Sequence, residues 1–436
     1  MTILVLMLML AYSMSFVDRQ ALALLVDPIK LDLGLTDTSF GVLQGMAFAL
    51  FYIGFGIPLG RLADRGSRRN LVAAAMVAWS LATMACGTAG SFATLFAWRA
   101  MVGIGEAALT PSAYSMISDA VPKRHLAKAL GFYSIGVYVG SGLALLVGAV
   151  LLEWLAQSEL AAQIATEGTS PWRLVFVALG LPGLVVAALL LLVPEPARTH
   201  FDSSEPSELP TLRETMAFIA AERRMFGGMI AGFACHNTAM YALLSWTPAF
   251  VGRKFDLPPG EFGVMLGIAT VIGGIVGLVS GGYISDHMMQ RGVRDTPIRM
   301  GLASTTGIAI FGCTAMLVDS LPVTVWLYGI TVGCIALPIG TAAAALQLVA
   351  PNRYRGQISA LYIILISLAG LNIGPVLPPF ISDSILDDPL RIGDALAMSL
   401  VGLTLISFPL FLSGRKAYAR RYAAIHLAGG KGGATP

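Results

Sequence analysis

Long apolar stretches make up most of the chain, and polar residues are concentrated in the short segments between them. A helix that crosses a bilayer needs about 20 mostly apolar residues. The runs here are continuous rather than alternating, which favours helices over the strands of a membrane barrel. Twelve stretches qualify, over residues 2–26, 39–62, 70–89, 92–118, 128–152, 172–193, 225–251, 261–285, 297–318, 322–349, 356–382 and 391–414. The pattern predicts an all-α membrane protein with twelve transmembrane helices.

Composition supports a lipid environment. Hydrophobic residues make up 56% of the 436 positions and charged residues only 12%, whereas soluble domains carry about 25% charged residues. The first stretch contains Asp18 and Arg19, and we expect a retained helix rather than a cleaved signal peptide. The four cysteines fall inside predicted spans, where we expect small packing residues. No metal and no cofactor is expected.

Basic residues alternate from one side of the membrane to the other. Of the 28 Lys and Arg residues, 21 follow even-numbered spans, including the C-terminal tail, and 5 follow odd-numbered spans. Loops rich in Lys and Arg face the cytoplasm. The sequence therefore predicts a multi-pass membrane protein with both termini cytoplasmic. Topology also explains the net charge of +3, so no nucleic-acid partner is expected.

A hydrophilic segment divides the spans into six and six. We predict an N-terminal six-helix bundle at 1–193, a cytoplasmic linker with an amphipathic helix at 194–224, a C-terminal six-helix bundle at 225–420 and a flexible tail at 421–436. Short motifs repeat between the halves. Gly60-Arg-Leu-Ala-Asp64 corresponds to Gly282-Tyr-Ile-Ser-Asp286, and Pro122-Lys-Arg124 to Pro351-Asn-Arg353. Such repeats are typical of secondary transporters, whose substrate site lies between the halves near the middle of the bilayer.

The motifs resemble a known family. The loop Gly60-Arg-Leu-Ala-Asp-Arg-Gly-Ser-Arg-Arg69 resembles the signature loop between helices 2 and 3 of the major facilitator superfamily. Phe16-Val-Asp-Arg19 and the segments 99–111 and 117–122 are similar to the Spinster family, most closely over residues 12–142. The resemblance implies two six-helix bundles with pseudo-twofold symmetry. Eukaryotic Spinster members move sphingosine phosphates and lysolipids. This chain resembles a bacterial relative, which implies a location in the bacterial inner membrane, but its own substrate does not follow from the resemblance.

Four charged residues lie well inside the spans: Asp18, Arg19, Arg99 and Glu106. A charge in hydrocarbon costs about 2.5–3.5 kcal/mol on insertion scales, so such residues usually serve function. Helical geometry places Asp18 and Arg99 at similar depth, and puts Glu106 on the same helix face as Arg99, about 10 Å deeper.

Our hypothesis assigns Asp18 and Glu106 to proton coupling and Arg19 and Arg99 to a substrate headgroup. When an anion occupies an arginine, the neighbouring carboxylate loses its partner and binds a proton more easily. The alternative is a buried ion-pair cluster that only locks span 1 to span 4. The two interpretations are compatible.

The C-terminal half has no comparable intramembrane charge, so one wall of the cavity is charged and the other apolar, as suits an amphiphile. Its polar residues are equally consistent with packing or interhelical hydrogen bonds. The cavity candidates from both halves are Tyr12, Tyr138, His236, Asn237, Tyr241 and Asn372.

Asp64 lies in an arginine-rich loop with Arg65 and Arg68. A carboxylate can cap the N-terminus of a neighbouring helix, and we predict that Asp64 caps the start of span 11 at Arg355. This latch would close the cytoplasmic side and favour the outward-open state. We assign Asp286, its counterpart in the second half, to the same gate. Positive-inside topology alone would explain the arginines but not Asp64.

The sequence thus predicts an alternating-access, proton-coupled transporter of a lipid-like or amphiphilic anion. The alternatives are a drug or organic-anion carrier of the same superfamily and a membrane sensor that does not transport. No ATP-binding motif or enzyme constellation is evident. The expected partners are a small amphiphilic substrate, protons and the lipid bilayer, and the chain is expected to be a monomer.

Overall fold

A computed structural model describes residues 2–158, 170–198 and 210–428, and all regular structure in these ranges is helical. Twelve long helices correspond to the twelve predicted spans, which confirms the all-α membrane fold. They are α1 Thr2–Leu24, α2 Asp37–Arg65, α3 Arg68–Cys86, α4 Phe92–Ala120, α5 Lys123–Gln157, α6 Trp172–Leu191, α7 Arg223–Phe255, α8 Pro259–Gln290, α9 Thr296–Leu317, α10 Leu321–Ala336 with Ile339–Val349, α11 Arg355–Ser384 and α12 Ile392–Ala428.

Eleven of these helices are long and apolar enough to cross a membrane. The exception, α7, has 33 residues, about 50 Å of helix, which exceeds the hydrocarbon thickness. It is more polar than the others because it contains residues such as His236 and Asn237 together with charged residues at both ends. Length and position in the bundle, rather than hydropathy, identify α7 as a span.

Several spans are interrupted at residues that disfavour regular helix. α2 breaks at Gly45, and α4 breaks after Glu106 and resumes at Leu109. In α11 a π-helical turn at Ala369–Ile373 is followed by irregular backbone before Leu377. Pro375 lies in this gap, where its ring and missing N–H stop the helix. The prolines of this segment therefore coincide with a break in α11.

Two segments differ from the predicted boundaries or lie partly outside the described residues. α12 continues to Ala428, so helix replaces the first eight residues of the predicted tail, and the rest of that tail lies outside the described part of the chain. In the predicted linker, residues 199–209 are likewise outside it. A short helix, Leu212–Ala221, follows them and begins with a capping box between Thr211 and Glu214.

The helices pack within each half of the chain. α1 packs along α5 and α3 along α6, while α7 packs along α12 and α8 along α10. The two halves meet through α5 and α8, through α2 and α11, and through α1 and α7. Large apolar side chains remain exposed on the outside, for example Leu405 and Val185, as expected where lipid takes the place of water.

The two faces of the bundle differ in how closely the halves approach. We call the face at which α2, α4, α8 and α10 end the basic face, and the other the opposite face. Towards the opposite face, a side chain at Gly41 or Gly142 would overlap backbone of the other half. Towards the basic face, side chains at Gly54, Gly131 and Gly282 would meet nothing within 4 Å. The halves therefore touch at the opposite face and separate towards the basic face.

Candidate functional site

Arg19 of α1 and Glu106 of α4 form an ion pair. Nε and Nη2 of Arg19 donate to Oε2 of Glu106 at 2.8 and 2.6 Å. The Glu106 side chain is fully buried, whereas that of Arg19 remains 13% exposed. The second carboxylate oxygen, Oε1, is buried and accepts no hydrogen bond within the described residues. The pair therefore joins a partly accessible cation to a fully buried carboxylate.

Aromatic rings surround the Arg19 guanidinium. Its central carbon lies 4.8 Å from the ring centre of Phe16, 4.4 Å from that of Phe48 and 5.2 Å from that of Tyr52. Cation–π contacts of this kind stabilise a charge that has lost most of its water. They also hold the flexible side chain in one orientation towards Glu106.

Asp18 and Arg99 lie beside this pair but are buried from the cavity, at 2% and 1% exposure. Nη1 of Arg99 donates to the backbone oxygen of Asp18 at 3.2 Å, which agrees with the similar depth predicted for these residues. The contact is to the main chain, and no ion pair joins the two side chains within 4 Å. The burial of Arg99 is inconsistent with direct headgroup binding in this conformation; the residue holds α4 against α1.

Glycine brings α4 close enough to build this cluster. A Cβ at Gly103 would overlap the carbonyl oxygen of Phe48 on α2. Because Gly103 has no side chain, α4 lies against α2, and Glu106 is carried to the same level as Arg19. The α-helix ends at Glu106 and restarts at Leu109.

The three candidate tyrosines take different positions. Tyr12 stacks on Tyr133 with ring centres 4.5 Å apart. Tyr138 is fully buried against Gly274 of α8, so it belongs to the contact between α5 and α8 rather than to the cavity wall. Tyr241 is partly buried and packs beside Gly374 of α11.

The other polar candidates of the C-terminal half form hydrogen bonds within that half. Nδ1 of His236 lies 3.2 Å from the Ser304 hydroxyl. Asn237 donates to the backbone oxygen of Ile366 at 2.8 Å, and Asn372 donates within its own helix to Leu368 at 2.9 Å. For His236 and Asn237 the structure therefore favours the packing interpretation over the ligand one.

The predicted latch at the basic face is open. The Asp64 carboxylate is exposed and makes no hydrogen bond or ion pair in the described part of the chain, while its backbone oxygen accepts from Arg198. Nε of Arg355 donates to Ala350 within its own half at 3.0 Å. Asp286 is exposed, as is Arg65. These residues are available for a contact between the halves but do not make one here.

Arg68 does not lie in the gate between the two halves, where it was predicted. It is buried, donates to Ser115 at 2.9 Å, and forms ion pairs with Asp119 of α4 and with Glu195 at the start of the linker. Partial burial raises the pKa of Glu195, but hydrogen bonds from Ser67 and Arg68 outweigh it and hold that pKa below its usual value. Arg68 therefore anchors its loop to α4 and to the segment after α6, and does not bridge the two halves.

A cluster at the opposite face was not among the predicted site residues. Arg253, at the end of α7, donates from Nη2 to Asp27 at 2.6 Å and from Nη1 to Asp37 at 2.6 Å, joining the C-terminal half to the N-terminal half. Asp37 is buried and also pairs with Lys30. We call these four residues the outer cluster. Basic residues are scarce after odd-numbered spans, and Arg253 and Lys30 are two of the five that occur there. This scarcity was the sequence signal that could have indicated the cluster.

Further contacts close the same face. The backbone N–H and hydroxyl of Thr38 donate to Asp383 of α11 at 2.9 and 2.7 Å. Gln20 of α1 donates to the backbone oxygen of Leu244 on α7 at 2.6 Å. The Arg19–Glu106 pair therefore lies in a bundle that is sealed at the opposite face and parted towards the basic face.

The family model of the Major Facilitator Superfamily matches residues 8–375. The chain belongs to this superfamily. Among its relatives is an MFS-type efflux pump of Mycolicibacterium smegmatis, 29% identical over 92% of this chain and 89% of the relative. The spinster protein of Drosophila melanogaster is 27% identical over 85% of this chain and 60% of its own length. The predicted resemblance to Spinster is thereby confirmed.

Solved structures agree with this assignment. A crystal structure of a bacterial homologue of the human lysosomal transporter Spinster, in an inward-facing and unoccupied conformation, is 25% identical and superposes with a TM-score of 0.75, covering 97% of this chain and 96% of the other. Members of the superfamily are membrane transporters of small substrates rather than enzymes. The chain is therefore a multi-pass membrane protein of a transporter family.

Proposed function

We propose that the protein is a secondary transporter that works by alternating access and couples protons to the movement of a lipid-like or amphiphilic anion. We further propose that the basic face is cytoplasmic, as the distribution of Lys and Arg indicates. In this orientation the described conformation is inward-facing. The contacts between the halves at the opposite face support this view, as does the similarity to a transporter solved in an inward-facing conformation.

The proposal depends chiefly on one observation, the Arg19–Glu106 pair. Arg19 is the partly exposed member of the intramembrane charge cluster, and its partner is fully buried. An anionic headgroup that reaches the cavity would compete with Glu106 for the guanidinium. We therefore assign the headgroup to Arg19, with Arg99 as a positioning residue for α1.

The same pair supplies a coupling mechanism. When a substrate anion binds Arg19, Glu106 is left as a charge in a low-dielectric site without its ion-pair partner. Proton uptake removes this cost, and the unpartnered Oε1 is an oxygen that can accept the proton. Substrate binding and proton binding would then favour one another. Asp18, buried beside Arg99, is a second candidate for the same proton.

The substrate's apolar part is proposed to lie along the C-terminal half. His236 and Asn237 form hydrogen bonds within that half, and the described C-terminal spans carry no charged side chain at the level of Arg19. An amphiphile can place its head at Arg19 and its tail along this wall.

Thermal unfolding of the purified protein would test the headgroup site. Lysolipids, sphingoid phosphates and small organic anions are added to the wild type, to Arg19→Ala and to Arg173→Ala. Arg173 is a suitable control because it forms an ion pair with Asp32 away from the cavity, with the two side chains 20% and 23% exposed. We expect a ligand that raises the unfolding temperature of wild type and Arg173→Ala but not of Arg19→Ala. Equal stabilisation of all three proteins would refute the assignment.

Proton coupling is tested separately in proteoliposomes with the ligand so identified. Glu106→Gln keeps the shape of the side chain but cannot take up a proton at the carboxylate. We expect uptake by wild type to depend on an imposed pH gradient and uptake by Glu106→Gln to lose that dependence. An unchanged pH dependence would exclude Glu106 as the proton carrier while leaving the headgroup site untouched.

A second candidate is an exporter of drugs or organic anions. It is favoured by the similarity over 92% of the chain to a protein named as an efflux pump. The two candidates differ in what they bind, so small aromatic or organic anions that stabilise the protein where lysolipids do not would favour the second.

A further inference from the structure

An apolar groove of about 610 Å³ runs between α8 and α10 on the outside of the bundle. Its walls include Ile272, Val276 and Ser280 of α8 and Trp326, Ile330 and Leu337 of α10. Val276 is 59% exposed and Trp326 75%. Exposed apolar side chains at this depth face the hydrocarbon of the bilayer, because they lie in the membrane-spanning part of both helices. The groove is therefore open to lipid and is separate from the Arg19–Glu106 site.

Glycines form the floor of the groove. A side chain at Gly273 would overlap the backbone of Gly329, and one at Gly277 would overlap that of Gly333. Because these positions carry no side chains, the two backbones touch. The larger side chains on either side then stand up as walls, which makes this depression deeper than an ordinary seam between helices.

The length and chemistry of the groove fit a hydrocarbon chain. Its α8 wall runs from Met265 to Ser280, about 22 Å at 1.5 Å per residue, which is longer than one leaflet's share of the hydrocarbon core, about 15 Å. The hydroxyl of Ser280 donates back to Gly277 at 3.2 Å, so it is occupied within its own helix. The walls therefore suit an apolar ligand rather than a polar one, and they are as long as an acyl chain.

Polar groups continue the groove at its basic-face end. The helical row that carries Val276 and Ser280 continues at spacings of three and four residues through Tyr283, His287 and Arg291. The Tyr283 and His287 rings stack with centres 6.2 Å apart and both are exposed. A ring pair of this kind suits the interface between hydrocarbon and headgroups, and Arg291 supplies a positive charge just beyond it.

The charge at the two ends indicates which headgroup would bind. At the basic-face end, the exposed Arg291 and Arg294 outnumber the neighbouring Asp286. At the other end, the exposed ionisable residue of α8 is the acidic Glu261. An anionic headgroup is therefore attracted to the first end and repelled from the second.

We propose that the groove binds one acyl chain of an anionic phospholipid from the leaflet at the basic face, with its phosphate at His287 and Arg291. The lipid lies outside the transport pathway and fills the wall between α8 and α10. Because α8 also contacts α5 across the two halves, the bound lipid packs against one of the helices that move relative to the other half.

Native mass spectrometry of the purified full-length protein would test the proposal, with phosphatidylglycerol and phosphatidylcholine as probes. The wild type should retain one phosphatidylglycerol in preference to phosphatidylcholine. Val276→Trp fills the groove and should weaken retention tenfold or more, since each displaced methylene is worth about fourfold in affinity. Val185→Trp is the matched control, because Val185 is also 59% exposed but lies on α6.

The two ends of the site are tested independently. Ile330→Trp fills the groove from its α10 wall and should reproduce the effect of Val276→Trp, which also covers the case in which one variant does not fold. The double variant His287→Gln/Arg291→Gln should still bind lipid but lose the preference for phosphatidylglycerol. Wild-type protein that retains no phosphatidylglycerol, or retention unchanged by both tryptophan variants, would overturn the proposal. Headgroup preference unchanged in the double variant would overturn the assignment of the phosphate.

Discussion

Removal of Arg253 should shift the protein towards the state that is open at the opposite face. Its guanidinium donates to Asp27 at 2.6 and 3.1 Å, to Asp37 at 2.6 and 2.8 Å, and to the backbone oxygen of Pro389 at 2.9 Å. The bonds to Asp27 and Asp37 join the two halves, so they exist only while this face is closed. Loss of Arg253 therefore destabilises the closed arrangement without removing a contact needed for the open one.

The magnitude follows from the burial of the partners. Breaking a buried ion pair by removing one member costs about 3–5 kcal/mol, because the other charge is left buried. Here the Asp37 side chain is fully buried but keeps Lys30, and Asp27 is 43% exposed and can be rehydrated. We therefore expect a smaller effect, about 2–3 kcal/mol, which corresponds to a shift of about 30- to 140-fold in the equilibrium between the two conformations.

The shift can be measured as a distance between spin labels at Leu31 and Ile385, which are 86% and 60% exposed and lie at the opposite face in different halves. In a background without native cysteines, Arg253→Ala should populate a longer distance. Lys254→Ala is the matched control, because Lys254 is the next residue but pairs with Asp319 inside the C-terminal half. If Arg253→Ala gives the same distance distribution as Lys254→Ala, the outer cluster does not hold the face closed.

Two further substitutions test the packing and the electrostatics of the fold. Gly41→Ala should also favour opening of the opposite face, since its Cβ would lie 2.5 Å from a carbonyl oxygen of α11; the same spin-label distance checks this, with Gly54→Ala, which meets nothing, as control. Asp295→Asn should lower the unfolding temperature at pH 7. Partial burial raises the pKa of Asp295, but hydrogen bonds from Arg415 and a second arginine outweigh it and leave the pKa below its usual value. The ionised Asp295 carboxylate stabilises the fold at pH values above its pKa in the unfolded chain, about 3.9. This stabilisation is lost as the pH falls through the lower pKa that the group has in the folded protein. The difference from wild type should therefore begin to shrink below about pH 4 and disappear once the pH has fallen through the folded value, whereas Asp394→Asn, at an exposed pair, should change little over the same range.

The fold could be predicted from the sequence because a bilayer restricts the choices. Backbone polar groups have no water partner in hydrocarbon, so an apolar run of about 20 residues must be helical. The prolines of α11 likewise mark its break without reference to the rest of the molecule. The end of α12 was less predictable: residues 421–428 lie beyond the predicted span and were assigned to the tail, yet they continue the helix.

The residues of the candidate site could be predicted from the sequence, but the ion pairs between them could not. An ionisable residue within a span is conspicuous in any sequence, which identified Arg19 and Glu106. Which carboxylate faces which arginine depends on helix rotation of a few tens of degrees, and this is set by contacts such as that of Gly103 with Phe48. Polar residues that are common in spans gave no comparable indication of a functional role. We interpret His236 as a packing residue because Ser304, on another helix, lies within hydrogen-bonding distance of it.

The outer cluster escaped prediction for a related reason. Asp27 and Asp37 lie just outside the spans, where acidic residues are unremarkable, and only the fold brings Arg253 between them. Loop charges can be assigned to a side of the membrane from sequence, but not to one another. The same limit applies to Arg68, whose partners Asp119 and Glu195 are far away in the chain.

The outer cluster also constrains what must happen at the basic face. A carrier that alternates must keep its two conformations within a few kcal/mol of each other, since a larger gap leaves one state almost unpopulated. Contacts worth several kcal/mol hold the opposite face closed here, and they are lost when that face opens. Comparable contacts must then form at the basic face. The exposed Asp64 and Asp286, which form no ion pair with any described residue, are charges suited to that purpose. On this argument, the predicted latch is the energetic counterpart of the outer cluster, and neutralising Asp64 should lengthen the time spent in the described conformation just as removing Arg253 shortens it.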